Sequence, residues 1–265
     1  MQLDRLGMPG NMKSVALEAE KATIRFHDLP GHGPPLILIH GLGCASSCDY
    51  PAVAADPALS GRNMLLIDLL GSGFSDRPTE FRYSVELHAR TIVKLVHRLG
   101  IESLDFFGHS MGGAIAIVAA SLMRDRVRHI ILAEPNIEPG GGIFSRRIAA
   151  MSEADYVDHG HDDLVRLSRS EGNEIWAASL SVSAPYAMHR AATSLVLGSD
   201  PTWCHQLDIL EVSKTAIYGR ASLPDARADK LKGLGVDIEV VEDAGHLMAC
   251  DNPSGLARAI SAALS

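Results

Sequence analysis

Short, almost wholly apolar runs alternate along the chain with longer stretches whose apolar residues recur every three or four positions. That alternation predicts the elements. Two β-prone stretches come first, Ser14 to Ala19 and Thr23 to His27. A Pro/Gly turn then leads into Pro35-Leu-Ile-Leu-Ile39. Met64 to Asp68, Ser103 to Phe107, Val127 to Ala133, Ser213 to Tyr218 and Val236 to Val241 follow as further strands. Short β-branched runs without polar alternation fit strands covered on both faces. Ser84 to Leu99 carries Val85, His88, Ile92, Leu95, Val96 and Leu99 on or near one helical face, and Gly100 sits where a helix should stop. An Ala/Ile-rich helix runs to Met123, another lies near Asp225 to Lys232, and a last one spans Pro253 to Ala263.

Strand-helix alternation of this kind predicts an α/β fold with a parallel sheet covered on both faces. The pattern breaks after Glu134. From Asn136 to about Gln206 no convincing strand occurs, but helical pieces do: Glu153 to Ser168, Asn173 to Leu180 and Ala184 to Leu197. The expected organisation is a core of residues 1–135 and 207–265 with a helical cap, 136–206, inserted between two strands of one sheet.

At 265 residues the chain suits one domain with an insertion, and 46% hydrophobic against 21% charged residues is ordinary for a globular protein. Twenty-four basic against 32 acidic residues give a net charge of −8. That balance argues against nucleic acid or an anionic membrane as partner and favours a small molecule; a homodimer stays open. Cys44, Cys48, Cys204 and Cys250 show neither a CxxC pair nor zinc-site spacing, so reduced thiols are expected. Met1 to Lys13 has no apolar core flanked by basic residues, and no run reaches bilayer length, so a cytoplasmic protein is expected by default.

Candidate chemistry starts at Gly108-His109-Ser110-Met111-Gly112, a G-x-S-x-G sequence between an expected strand and an expected helix. A serine held on so sharp a turn is exposed as a nucleophile, and the helix that follows aims N–H groups at a developing oxyanion. The hydroxyl needs a base. Of 12 histidines, His246 in Ala244-Gly-His-Leu-Met248 has the right position, in the loop between the last strand and the last helix. His88, His97, His129, His159, His161 and His205 read as solvated or core residues. His40-Gly41-Leu42-Gly43 follows the third strand as a candidate oxyanion segment, with the N–H groups of Leu42 and Met111 as its two donors.

Together HGLG at 40–43, Asp68 with the GSGFS turn at 71–75, GHSMGG at 108–113 and AGH at 244–246 resemble the α/β-hydrolase superfamily along nearly the whole chain, the inserted segment excepted. The resemblance implies an eight-stranded, mostly parallel sheet with one antiparallel strand, and a serine, acid, histidine triad in that order. Many members carry the acid after strand seven in a Gly-x-x-Asp segment, whereas this chain reads Tyr218-Gly-Arg-Ala-Ser222. Glu134, at the carboxyl end of strand six, is the replacement that the resemblance to zearalenone lactone hydrolases favours, with Asp225 as its rival. Asp68 reads as a structural turn residue.

A serine at the elbow disfavours the dehalogenase and epoxide-hydrolase branches, which the resemblance assigns an aspartate there. The expected activity is two-step hydrolysis of a carboxylic ester or lactone, with no metal or organic cofactor required. His109, Ile143, Phe144, Trp176, Tyr186, Met188 and Trp203 are candidates for an apolar substrate pocket, although each also reads as packing of the inserted segment. One alternative is carbon–carbon bond hydrolysis of a dienoic diketone acid, for which Arg146, Arg147 or Arg190 could bind the substrate carboxylate. Another is a slow-turnover ligand receptor on the same fold.

Overall fold

A computed structural model of the chain describes residues 12–265; most of the N-terminal segment read above as lacking a leader lies outside them. The strands are β1 (Met12–Leu17), β2 (Ala22–Leu29), β3 (His32–Ile39), β4 (Arg62–Asp68), β5 (Leu104–His109), β6 (Val127–Ala133), β7 (Ser213–Gly219) and β8 (Asp237–Val241). They form one sheet in the order β1-β2-β4-β3-β5-β6-β7-β8, in which β2 runs antiparallel to both neighbours and the pairs from β4 to β8 are parallel. The antiparallel strand follows from sequence: β1 and β2 are joined by a tight turn, which only an antiparallel pair allows.

Side-chain alternation along the buried strands divides the core between the two faces. Ile37, Ile39, Phe106, Ile130 and Leu132 pack on one side against α1 (Val85–Arg98) and α2 (Met111–Leu122). Leu36, Leu38, Phe107, Ile131 and Ile217 pack on the other, where the C-terminal helix spans Pro253–Ala263. All four cysteines are free thiols. No described helix is long and apolar enough to cross a membrane.

Between β6 and β7 the chain forms α3 (Ile143–Ala149), α4 (His161–Ser170), α5 (Glu174–Ser181), α6 (Pro185–Leu197) and α7 (Trp203–Asp208), and no strand among the described residues. Helix α3 falls where the sequence showed no clear period, just after Gly140-Gly-Gly142. The single helix expected over 153–168 is interrupted by a π-helical turn at Tyr156–Gly160. The wider turn lets Tyr156 and His161, five residues apart, face inward together, with Tyr156 Oη 3.2 Å from His161 Nδ1. Gly160 completes it, since a Cβ there would meet Met151 Cε at 2.7 Å.

The turn after β4 docks this helical segment onto the sheet. Asp68 accepts hydrogen bonds from Ser47 N (2.9 Å), Ser47 Oγ (2.8 Å) and Phe74 N (2.9 Å), which makes it a turn anchor. Gly71 O then accepts from Ala184 N at 2.8 Å.

Candidate active site

Ser110 sits between β5 and α2 with φ 53° and ψ −114°, a conformation that costs an L-residue strain and holds its side chain out of the sheet. Its neighbours must be glycines. A Cβ on Gly108 would lie 2.4 Å from Gly112 O, one on Gly112 would lie 2.2 Å from Ile39 O, and one on Gly113 would lie 2.7 Å from Pro135 Cβ. Close approach of β3 to the start of α2 brings the candidate oxyanion loop to Ser110.

Glu134 is the residue after β6, also at positive φ (41°), and its side chain is 2% exposed. Its Oε1 accepts from Gly219 N at 3.0 Å and its Oε2 lies 2.7 Å from His246 Nδ1. Burial works to raise its pKa. The hydrogen bond and charge of His246, the Ser222 hydroxyl and the Gly219 N–H outweigh it and hold the carboxyl below the usual glutamate range. Ser222 stands where the Gly-x-x-Asp pattern would put the acid, and here its hydroxyl hydrogen-bonds the Glu134 carboxyl. Asp225 points elsewhere: it caps the helix α8 (Ala226–Gly233) by accepting from Arg227 N at 2.7 Å, and it forks with the Arg227 guanidinium.

The loop that carries His246 is fixed from two sides. Gly245 N donates to Asp251 Oδ2 at 2.9 Å, and His246 O lies 2.9 Å from His109 Nε2. A carbonyl can only accept, so His109 Nε2 carries the proton. The imidazoles lie tilted by 48° with centroids 4.7 Å apart, and burial, reinforced by His246, pushes the pKa of His109 down to about 3, so its ring is neutral.

The Ser110 hydroxyl donates to Asn136 Oδ1 at 3.3 Å rather than to His246, and Asn136 N donates to Ser110 O at 3.1 Å. The turn Glu134-Pro135-Asn136 thus reaches both His246 and Ser110. Asn136 was missed from the sequence; its position two residues past the candidate acid was the available signal. With Nδ1 facing Glu134, the other ring nitrogen of His246 has no partner among the described residues. A change of serine χ1 between staggered wells redirects the hydroxyl.

In the oxyanion segment, His40 is fully buried, and its Nε2 accepts from Leu69 N at 3.1 Å, which fixes the proton on Nδ1. That N–H donates to Gly41 O at 2.8 Å, and Cys44 N does so at 3.2 Å. Because C=O and N–H point oppositely across a trans peptide, holding Gly41 O sets the direction of Leu42 N–H, which has no partner among the described residues. Met111 opens α2, so its N–H has no acceptor one turn back.

A cavity of about 730 Å³ opens over Ser110, His246, Glu134, Leu42 and His109. Ile143, Phe144, Trp176 and Leu195 of the inserted segment face it, as do the polar Arg146, Asn173, Ser222, Asp225 and Arg227. Three expected pocket residues lie elsewhere. Tyr186 donates to Arg77 O at 2.6 Å and packs on Tyr83. Met188 is buried among Trp176, Leu180 and Ile148, and Trp203 is fully buried with its Nε1 toward Glu86. All three are consumed in packing the segment to itself or to the sheet. Of the arginines, Arg190 is paired with Glu153 at 2.7 Å, Arg147 lines a separate depression, and Arg146 reaches the cavity. No group of three or more His, Cys, Asp or Glu side chains placed to hold a metal ion occurs among the described residues.

Residues 34–176 match the family described as the alpha/beta hydrolase fold. A 131-residue stretch, 48% of this chain, is 34% identical to a 2-hydroxymuconate semialdehyde hydrolase of Pseudomonas sp. (strain CF600); it spans 46%, about half, of that relative's own length. A thermophilic esterase from Thermogutta terrifontis superposes with a TM-score of 0.76 over 96% of this chain and 98% of the other, at 21% identity. An esterase from Exiguobacterium antarcticum does so at 0.79 over 97% and 100%, at 19% identity. With the sheet order, the strained serine turn and a match across more than half of its residues in agreement, the chain belongs to the α/β-hydrolase fold family.

Proposed function

We propose that the protein hydrolyses a carboxylic ester or lactone through an acyl-enzyme on Ser110, with His246 as base and Glu134 as the acid that orients it. The observation that carries this reading is the 2.7 Å contact between His246 Nδ1 and the buried carboxylate of Glu134, at the rim that also holds the strained serine. A carboxylate there keeps the proton on Nδ1, leaves Nε2 free to accept, and stabilises the imidazolium that forms. The hydroxyl turns from Asn136 to His246, gives up its proton and attacks the carbonyl, while Leu42 and Met111 N–H groups take the oxyanion. The imidazolium then protonates the leaving oxygen, and water repeats the cycle against the acyl group.

Residues 136–206 serve as a cap, and their apolar side chains opposite the polar rim suit a bulky, largely apolar acyl or lactone group. Supporting the ester reading are the esterases whose folds are similar, and the serine at the elbow. The second reading, carbon–carbon bond hydrolysis, is favoured by the similarity to a 2-hydroxymuconate semialdehyde hydrolase and by Arg146 at the cavity.

The test is labelling by a fluorophosphonate probe, followed by a screen of acyl esters, lactones and dienoic acids with Ser110→Ala as blank. Labelling and ester turnover that vanish in the variant are expected. Turnover that persists in Ser110→Ala removes the mechanism, and turnover of dienoic acids alone selects the second reading.

A further inference from the structure

Asp49 is a buried carboxylate, 8% exposed, that the proposed chemistry does not use. It accepts from Ala45 N at 3.3 Å and from Ser179 Oγ at 3.1 Å, and the Cys44 thiol lies within hydrogen-bonding reach. Ala45 and Cys44 end the oxyanion loop, whereas Ser179 is a fully buried residue of α5, in the inserted segment. One turn earlier on that helix, Trp176 Nε1 donates to Leu42 O at 3.4 Å. Residues 176 and 179 share a helical face, so α5 grips the loop at both ends. Between the two grips lies Gly43 at φ 71°. A Cβ there would meet Leu180 Cδ2 at 2.6 Å, Met188 Cε at 3.0 Å and Trp176 Nε1 at 3.2 Å, so the helix rests directly on loop backbone.

The two peptide planes that flank the Leu42 Cα are therefore held by different parts of the fold. His40 fixes the Gly41–Leu42 plane from the sheet, and Trp176 fixes the Leu42–Gly43 plane from the inserted helix. We propose that Asp49, Ser179 and Trp176 are positioning residues through which α5 sets the aim of the Leu42 N–H at the oxyanion. The assignment rests on the acyl-transfer reading above. It makes oxyanion stabilisation depend on the seating of the helical segment, because the Trp176 ring also lines the cavity and packs on Phe144 with centroids 4.6 Å apart.

The experiment compares wild type, Trp176→Phe and Ser179→Ala. Fluorophosphonate labelling of wild type that is absent in Ser110→Ala first tests the acyl-transfer reading by itself. Then kcat and KM for p-nitrophenyl butyrate are measured, together with affinity for an aryl trifluoromethyl ketone and for the matching methyl ketone. Trp176→Phe keeps an aromatic ring toward Phe144 and removes the N–H together with the second ring of the indole, a loss of packing that the methyl ketone monitors. A misaimed donor costs less than a deleted one, so kcat is expected to fall about tenfold with KM within about twofold, and trifluoromethyl ketone affinity to fall with kcat. Methyl ketone affinity stays constant. Ser179→Ala should show the same split, and carries the test if the tryptophan variant does not fold. If wild type is labelled but folded variants keep their kcat, or lose efficiency through KM alone, the positioning role is overturned. An unlabelled wild type overturns the acyl-transfer reading first.

Discussion

Glu134→Gln tests the acid by a change that conserves shape. In the wild type Glu134 Oε1 accepts from Gly219 N and Oε2 faces His246 Nδ1. The Gly219 N–H can only donate, so a glutamine places its carbonyl oxygen there and turns its NH2 group to the histidine. Nδ1 must then accept, the ring proton moves to Nε2, and the nitrogen needed to take the serine proton is blocked. The opposite amide orientation leaves two donors facing each other in a buried site, at a cost of about 1–3 kcal/mol. Only about one molecule in six to one in 160 thus holds the working tautomer. The carboxylate charge that stabilises the imidazolium is lost as well. The expected loss in kcat lies between about 10² and 10⁴, with KM little changed. Hydrolysis of p-nitrophenyl butyrate near neutral pH measures it, with circular dichroism to verify folding. A folded Glu134→Gln enzyme within about tenfold of wild-type kcat refutes the reasoning.

Asp225→Asn separates the rival acid: since Asp225 is engaged by Arg227, kcat should stay within about threefold, while asparagine keeps the cap and the lost charge pairing with Arg227 costs at most ~1 kcal/mol in a melting experiment. A kcat loss comparable to that of Glu134→Gln reverses the assignment. Gly112→Ala sets a Cβ 2.2 Å from the Ile39 carbonyl, which is backbone and cannot turn aside, so destabilisation above ~3 kcal/mol or failure to fold is expected; an unchanged melting temperature contradicts the close approach. The folded pKa of Glu134 is depressed, so its contribution to stability is complete above the usual glutamate value of 4.5 and is lost as pH falls through the lower folded value. Urea midpoints followed downward from pH 6 should therefore fall more steeply in wild type than in Glu134→Gln, and parallel curves count against the ion pair.

The sheet was legible because buried parallel strands are continuous apolar runs; Val127–Ala133 has the expected limits, and the other strands share one end with the expectation or differ at their ends by one to three residues. The serine turn and the histidine loop were legible for another reason, that backbone geometry there admits few residues. Gly108, Gly112 and Gly219 each meet backbone atoms closer than a Cβ allows. The inserted segment was less legible. Helical period says that Tyr186, Met188 and Trp203 have an apolar side to bury, but not whether it meets the sheet, another helix or a cavity. Asn136 escaped notice because its contact with Ser110 depends on β5 and β6 ending side by side, a relation signalled locally only by its place two residues past Glu134. The π turn at Tyr156–Gly160 likewise follows from a tertiary pairing.

If Glu134 is the acid, its delivery from β6 has a consequence for how the protein can change. In the Gly-x-x-Asp arrangement the segment after β7 must hold a carboxylate against the histidine, so its course is dictated by the chemistry. Under the Glu134 assignment Arg220 to Pro224 need not carry the carboxylate, and Ser222 lines the cavity over Ser110 and His246. Variation at Arg220, Ala221, Leu223 and Pro224, with Ser222 kept for its hydrogen bond to Glu134, can shift this wall while leaving the proposed proton relay intact, which makes these positions the natural place to seek altered selectivity by randomisation.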